Sequence, residues 1–495
     1  MHLGIDFGTT RTVVALADRG NYPVVDFLDV DGDFHDHFPT VSALSDGQLV
    51  HGFAAQAAAR EGASLIRSVK RHLAAPDLTL ESSIEVDGQR IGLLDLVTGF
   101  LTALREALQG ASTLGEEELT EAVVVGVPAH AHTAQRMLTL EAFRRAGFSV
   151  AAMVNEPSAA GFEYTHRQRR TVTSRRNRVL VYDLGGGTFD ASLVSVENSD
   201  HEVLGTVGIN RLGGDDFDLL LAECVLDKAG VAEQSLPERA LDELVDQCRG
   251  AKEGLTPQTR RLAVELDGQL VALDVADYYA AATPLVEQSL QAMTPLVAGL
   301  DASHSDIAGI YLVGGSSSLP LVPRVLRERF GRRVHRSPYP GASTAIGLAI
   351  AADPEAGYTL AEQLSRGFGV FREAEGGREV RLDPILSPDH RVSLTDEVVV
   401  TRRYRAAHNI GWFRFVEYGR LDEQGQPVGE LSPRGEMVFG FEASLQDAAD
   451  LSTVPVRRLD HGPLVEETYT IDPHGIITVT ITDLDTGHSL SNSLG

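Results

Sequence analysis

The sequence predicts an α/β protein built from two related halves, followed by a separate all-β domain. Three observations carry this. Two strand–turn–strand hairpins of the same design stand about 180 residues apart, LGIDFGTTRTVVAL (3–16) and RVLVYDLGGGTFDASLVSV (178–196), which is the mark of a duplicated unit. Strand-like and helix-like segments alternate as far as residue 353. Beyond that point helical patterns largely stop, and β-branched, alternating runs take over.

The second hairpin is the more informative. Val179–Leu184 is an apolar, β-branched run that favours a buried strand, and Phe189–Val196 alternates like its partner. Between them lie Gly185, Gly186, Gly187 and Thr188, bracketed by Asp183 and Asp190. Consecutive glycines let a turn present bare N–H groups to a ligand at close range. A hydroxyl and two carboxylates complete what a phosphate and a hydrated Mg²⁺ require. The first hairpin repeats the pattern, with Asp6 ending a strand, Gly8, Thr9 and Thr10 forming the turn, and Arg11 and Thr12 leading out. Each half would supply one hairpin to a cleft holding nucleotide phosphates.

Composition sets bounds. The 495 residues suffice for about three domains. A net charge of -27 argues for solubility and against nonspecific binding to nucleic acid. Two cysteines, Cys224 and Cys248, imply no disulfide framework. A strand begins at Leu3 without a preceding leader pattern, and no apolar run reaches the ~18 residues of a membrane span, so a cytoplasmic location without membrane contact is expected. Only three lysines occur, Lys70, Lys228 and Lys252.

In chain order, Val24–Val30 and Thr40–Leu44 read as strands, Gly52–Glu61 as an Ala-rich helix, and Ile66–Leu73, which carries Lys70, as helix. Leu93–Gln109 is an amphipathic helix, Glu121–Val127 a strand ended by Pro128, and Thr133–Ala146 a helix with Gly147 at its C′ position. Val150–Val154 is a strand, after which Asn155 is placed to cap a helix whose first turn holds Pro157. Arg167, Arg169, Arg170, Arg175, Arg176 and Arg178 form a basic cluster before the second hairpin. Gly213, Gly214 and Asp215 lead into the helix Leu219–Lys228, Pro237–Leu255 is mostly helical, and Val275–Leu300 reads as one long helical stretch. Ile307–Val313 is a strand ending in Gly314, Gly315 and Ser316, followed by the helix Leu321–Phe330, a second place where a nucleotide could sit. Ala342–Ala352 is a small-residue helix. In the β-region, Val392–Tyr404, Ile410–Tyr418, Gly435–Glu442 and Leu464–Thr482 read as strands.

These stretches in this order resemble the heat-shock-70 (DnaK-type) chaperones: GIDFGTT (4–10), VKR (69–71), VPA with Gln135-Arg136 (128–136), NEPSAA (155–160), DLGGGTFD (183–190), LGGDDFD (212–218) and LVGGSSSLP (312–320), with ETYTIDPHGIITVTITDLDTG (467–487) resembling the last strands of the peptide-binding domain. The resemblance implies a two-lobed actin-like ATPase domain over 1–355, with lobe I about 1–177 plus 340–355 and lobe II about 178–339. A linker over 356–366 and a β-sandwich over 367–495 that binds extended peptides or proteins would follow. It implies ATP/ADP, Mg²⁺ and K⁺ as ligands, slow hydrolysis and a co-chaperone; the sequence leaves the oligomeric state open, with a monomer favoured. Lys70, Glu156, Thr188 and Asp183 would be the catalytic set. Asp6, Asp183 and Asp190 would hold Mg²⁺, mostly through water. Gly8, Thr9, Thr10, Arg11, Gly185, Gly186, Gly187, Thr188, Gly213, Gly214, Asp215, Lys252, Thr256, Gly314, Gly315 and Ser316 would bind the nucleotide. Pro128 and Arg136 match the family's interdomain relay.

The base end departs from the family pattern. Arg249 stands where a glutamate is expected, Glu253 and Ser318 replace two adenine-stacking arginines, and Gly341 replaces an acidic residue. Each lost guanidinium face removes stacking worth ~1–2 kcal/mol, roughly a tenfold loss of affinity. The linker, Tyr358–Leu364, keeps leucines but is interrupted by polar residues. With the sequence stopping after the β-domain, a clamp without a helical lid and with fast peptide release is expected. Two other readings are a nucleotide-sensing, weakly hydrolysing scaffold whose β-domain binds one dedicated partner, and a small-molecule kinase, for which no acidic substrate-cleft motif is present.

Overall fold

The computed structural model describes residues 2–114, 122–168, 172–173, 176–197, 199–298, 307–364, 366–374, 378–388, 390–393, 396–446 and 450–494. Arg169, Arg170 and Arg175 of the basic cluster lie outside the described residues. The chain divides into two compact units, Met1–Arg71 with Thr102–His130 and Val154–Thr359, and His72–Leu101 with Ala131–Met153 and Leu360–Gly495.

In the first unit the duplication is explicit. His2–Phe7 pairs antiparallel with Arg11–Ala17 and parallel with Val123–Val127. Arg178–Leu184 pairs antiparallel with Phe189–Glu197 and parallel with Ile307–Val313. The second sheet also carries Asp200–Ile209 beside Phe189–Glu197, and Val334–Arg336 at its other side. Parallel neighbours require crossovers that cover both faces, so these central strands are apolar and buried throughout rather than alternating. The helix Ser343–Ala352 crosses the helix Glu156–Arg167 so closely that a Cβ on Gly347 would fall 1.8 Å from the Ala159 carbonyl oxygen. Small residues in both helices allow that approach. These are the actin-like mixed-sheet lobes.

The second unit contains the β-sandwich. One sheet runs Glu379–Leu386, Gly367–Ala374, Ile410–Leu421, Pro427–Gly440, and the other Val398–Arg405, Leu464–Ile471, Ile477–Asp483, Ser489–Leu494. Phe368, Phe413, Phe415 and Phe439 of the first sheet share one core with Val465, Tyr469, Val479 and Ile481 of the second. Leu464–Ile471 and Ile477–Asp483 alternate buried and half-buried residues, as a sheet with one wet face should.

Several expectations need correction. The strand expected over Val24–Val30 is reduced to Phe27–Leu28, because the Asp29 carboxylate accepts the amides of Asp31 and Asp33 and turns the chain. The helix expected over Ile66–Leu73 is the single turn Val69–His72. Ser64–Ile66 is instead a strand paired with Ser42–Leu44, and Ser68 has a φ of 51°. The stretch from Val275 is two helices, Val275–Ala292 and Thr294–Ala298, which part ahead of Pro295. Asn155 occupies the cap position of its helix, but its side chain makes no capping bond. The run expected as a strand over 392–404 is two, Arg391–Ser393 and Val398–Arg405, whereas 464–482 forms two strands joined by a turn at 472–475, as its Asp-Pro-His-Gly run requires.

Candidate nucleotide site

In each hairpin a carboxylate stands one residue before the end of the first strand, Asp6 before Phe7 and Asp183 before Leu184, and the residue after it is buried. Asp183 and Asp190 are cross-strand partners, and the turn between them is closed by the Gly185 amide donating to the Thr188 carbonyl at 3.0 Å. In the first hairpin the Gly8 amide donates to the Asp6 carbonyl at 3.0 Å. The two turns face each other. A Cβ on Gly186 would lie 2.8 Å from Thr10 Oγ1, and one on Gly187 would lie 2.8 Å from Thr9 Cγ2. Here glycine is required by close approach rather than by a positive φ.

The Gly213 loop joins them. The amides of Gly214 and Asp215 donate to the carbonyls of Gly185 and Gly186 at 2.9 and 2.8 Å, so in this conformation they knit the two loops together. A Cβ on Gly214 would meet Ser316 Oγ at 2.5 Å and Lys252 Nζ at 3.1 Å, and one on Gly314 would meet Asp183 Oδ1 at 2.4 Å. Residues from five distant segments thus converge on one place: Thr9 and Thr10, Gly185–Gly187, Gly213–Gly214, Lys252, and Gly314–Ser316.

Lys70 enters from the short Val69–His72 turn and Glu156 from the first turn of its helix. The Lys70 ammonium donates to Glu156 Oε1, and Lys70 is only 6% exposed. Burial works against that ammonium, yet Glu156, Asp6 and Asp190 outweigh it and hold its pKa above the ordinary value. The carboxylates show the converse. Burial, and then the Glu156 charge, push Asp6 up to about 7 and Asp190 up to about 8, with Lys70 opposing. Burial, with Glu156, Asp6 and Asp190, lifts Asp183 well above the carboxylate range. One buried cation does not satisfy four carboxylates, so a further cation placed among them would lower these raised values and be held in return. Among the described residues no three His, Cys, Asp or Glu side chains are grouped closely enough to ligate one ion directly. Hard oxygen donors at that spacing suit a hydrated Mg²⁺ reached through its waters.

Arginines form a frame that single-position reading did not pick out. Arg249 reaches Asp218 at 3.1 Å, Asp246 at 3.2 Å and Asp215 at 3.3 Å, and Lys252 reaches Asp218 at 2.6 Å. Arg71 pairs with Asp216 at 2.8 Å, and Arg67 pairs with Asp246 through two contacts. Residues 67–71 are thereby tied to the first turn of the helix Gly214–Ala229 and to the helix Glu238–Glu253. Arg249 is spent on carboxylates, so the glutamate-to-arginine change keeps the helix anchored rather than adding a free cation. Arg11 pairs with Glu253 at 2.6 Å. Thr256 bonds Thr259 and, with Glu253 and Ser318, lines a cavity beside the site.

The second unit holds its own buried polar cluster. His132 caps the helix Thr133–Arg145, its Nδ1 accepting the Gln135 amide at 3.0 Å, while its Nε2–H donates to the Ala75 carbonyl at 2.9 Å. Glu417 accepts from the Thr133 amide at 3.1 Å, from the Thr133 hydroxyl and from Arg434 Nε at 2.8 Å, and Arg434 also donates to the Pro76 carbonyl at 3.2 Å. Arg136 donates to the His474 carbonyl at 3.2 Å.

Burial, with Arg434 nearby, depresses His132 to about 4. Its folded pKa lies below its unfolded one, so the unfolded chain binds more protons between them. The stability it contributes is complete above about pH 6.5 and is lost as pH falls toward about 4. We expect His132→Asn, which can still cap the helix, to flatten the fall in melting temperature over that window. An unchanged pH profile would show that His132 does not titrate on unfolding.

A duplicated mixed-sheet architecture with two facing Gly/Thr turns defines the chain as a protein of the actin-like nucleotide-binding class. The family model "Hsp70 protein" matches residues 2–364, and the chain belongs to the Hsp70 family. It is 32% identical over 404 residues to the chaperone protein HscA homolog of Tolumonas auensis, an alignment covering 77% of this chain and 63% of that protein. It is 29% identical over 509 residues to the chaperone protein HscA of Serratia proteamaculans, covering 98% and 76% respectively. Against the chaperone protein HscA of Salmonella agona the values are 33% over 368 residues, covering 71% and 57%. The chain thus spans between 57% and 76% of the length of these relatives. No described helix is long and apolar enough to cross a membrane.

Proposed function

We propose that the protein is a nucleotide-driven chaperone: residues 1–355 bind ATP or ADP with Mg²⁺ and hydrolyse ATP slowly, and the nucleotide state modulates binding of extended peptides by the β-sandwich over 367–495. The observation that carries this is the Lys70–Glu156 pair, buried between Asp6, Asp183 and Asp190 where the two Gly/Thr turns meet. Phosphoryl transfer to water asks for positioning and charge neutralisation more than for covalent help. Water attacks the γ-phosphorus, the bond to the β–γ bridging oxygen breaks, and ADP and phosphate leave. Lys70 neutralises charge developing on the transferred group, Glu156 accepts a hydrogen bond from the water and so orients it, the water's proton leaves with the inorganic phosphate, and the Thr188 hydroxyl donates to a γ-oxygen. Asp6, Asp183 and Asp190 would hold Mg²⁺ through its waters and help place K⁺; when bound, the metal would supply positive charge to offset the negative charge of the phosphates. A co-chaperone, a cytoplasmic location and a monomeric chain belong to the same reading.

A second reading, a scaffold that senses nucleotide and barely hydrolyses it, draws support from the base end, where Glu253 bonds Arg11 instead of offering a guanidinium face. Calorimetric titration with ADP, ATP and GTP in Mg²⁺ and K⁺, followed by ATP turnover with and without an extended peptide, separates the two. Adenine-nucleotide binding with peptide-stimulated turnover is the expected result. Binding without stimulation would favour the scaffold, and absence of any nucleotide binding would overturn both.

A further inference from the structure

The cavity that starts at Glu253, Thr256 and Ser318 continues past them to about 880 Å³, near the top of the ~300–1,000 Å³ range of small-molecule sites. Four arginines line it, Arg260, Arg324, Arg327 and Arg336. Among the described residues none of the four has an ion-pair partner, although the chain carries a net charge of -27. The lining carboxylate Glu253 is already neutralised by Arg11 at 2.6 Å, leaving Glu328 as the other lining acid. Arg324 is held over the Tyr279 ring at 5.3 Å, which limits the freedom of its guanidinium. Apolar wall comes from buried Leu255, Val275 and Pro323. Four arginines without an ion pair among the described residues, around one concave and partly apolar surface, make a local positive field in a negative molecule, and guanidinium forks match the planar oxygens of carboxylate and phosphate.

We propose that this cavity is an anion-binding compartment beside the nucleoside position, which takes a phosphate- or carboxylate-bearing group. The proposal rests on the nucleotide-binding reading for its neighbour. The anionic group is either carried by the nucleotide on its base side or belongs to a small anion bound next to it. Arg324 and Arg327 are exposed on the helix Leu321–Phe330 and are not part of the core, so Arg324→Gln/Arg327→Gln should fold normally.

Two calorimetric arms test it, each on wild type and double variant. The first compares ADP bearing an N6-carboxymethyl group with ADP bearing an N6-ethyl group of similar size. A charge carried by the nucleotide predicts about tenfold tighter binding of the carboxylate form to wild type, with the preference abolished in the variant. The second titrates inorganic phosphate into protein saturated with ADP. A separate anion predicts saturable binding that the variant loses. Equal affinity for the two nucleotides together with no saturable phosphate binding overturns the proposal, as does a preference that survives in the variant. If ADP fails to bind at all, the nucleotide reading falls. Phosphate titrated into nucleotide-free protein then decides the compartment separately, because only a response that disappears in the double variant supports it.

Discussion

Lys70→Ala should slow single-turnover ATP hydrolysis by about 10²–10³-fold, the usual cost of removing one preorganised charge or donor from a transition state, while ADP binding changes much less. The asymmetry follows from where the ammonium sits. It is buried, bonded to Glu156 and close enough to Asp6 and Asp190 to oppose the rise in their pKa values. Two separate losses are therefore possible. One is direct, the missing charge at the transferred phosphoryl group. The other is indirect, since without Lys70 the three aspartates repel one another more strongly, take up protons more readily and hold a hydrated cation less well. Mg²⁺ dependence separates them. If the direct loss dominates, saturating Mg²⁺ leaves the variant slow. A rate that returns to the wild-type value at high Mg²⁺ would reassign Lys70 to organising the aspartates, and an unchanged rate at all Mg²⁺ concentrations would remove it from the hydrolytic set. Lys70→Arg is not a neutral control, because a planar fork cannot occupy the place of a compact ammonium. A melting curve of the variant guards against misreading a folding defect.

What the sequence made legible, and what it did not, divides along sequence separation. The two hairpins announce themselves because strand, turn and carboxylate all lie within a dozen or so residues, and both pair in the register that their alternation requires. The strand Asp200–Ile209 and the hairpin Arg261–Leu266 with Gln269–Asp274 went unassigned. Asp267-Gly268 at the tip of that hairpin is a turn signal that could have found it. The first sandwich strands were missed for a physical reason. Gly367, Gly369 and Pro384 interrupt the alternation of Gly367–Ala374 and Glu379–Leu386, and these strands are fixed by their neighbours across the sheet. The candidate site residues are legible one at a time, through motif resemblance. Their pairings are not, since Lys70 and Glu156 lie 86 positions apart and Arg11 and Glu253 lie 242 apart. The arginine-lined cavity is the extreme case. Its four arginines come from three separate segments, and each alone reads as an ordinary surface charge.

The same reasoning governs Arg434, for which the larger effect on stability is expected. Arg434→Ala should destabilise the protein by about 3–5 kcal/mol, because it leaves a buried carboxylate without its counter-charge. Glu417 is almost fully buried, and burial alone would raise its pKa. The Arg434 guanidinium and the Thr133 hydroxyl outweigh burial and hold it below the ordinary value. Replacing both partners, as in Glu417→Leu/Arg434→Met, should recover much of the loss, since apolar substitution of a whole buried pair is often close to neutral. Recovery will be incomplete. Glu417 also accepts the Thr133 amide and hydroxyl, and each donor left unsatisfied costs about 1–3 kcal/mol. The pH dependence gives a second, independent reading. In the wild type the folded pKa of Glu417 is depressed, so its contribution is present above the carboxylate range and is lost as pH falls through the folded value. In Arg434→Ala the folded pKa is raised instead, and stability is then retained at low pH and lost as pH rises. Chemical denaturation at pH 4.5 and pH 7 should therefore show the gap between variant and wild type widening toward neutrality. A gap that is constant with pH, or that narrows toward pH 7, would mean that Glu417 does not carry the charge assigned to it, and that Arg434 stabilises the fold through packing and its bond to the Pro76 carbonyl alone.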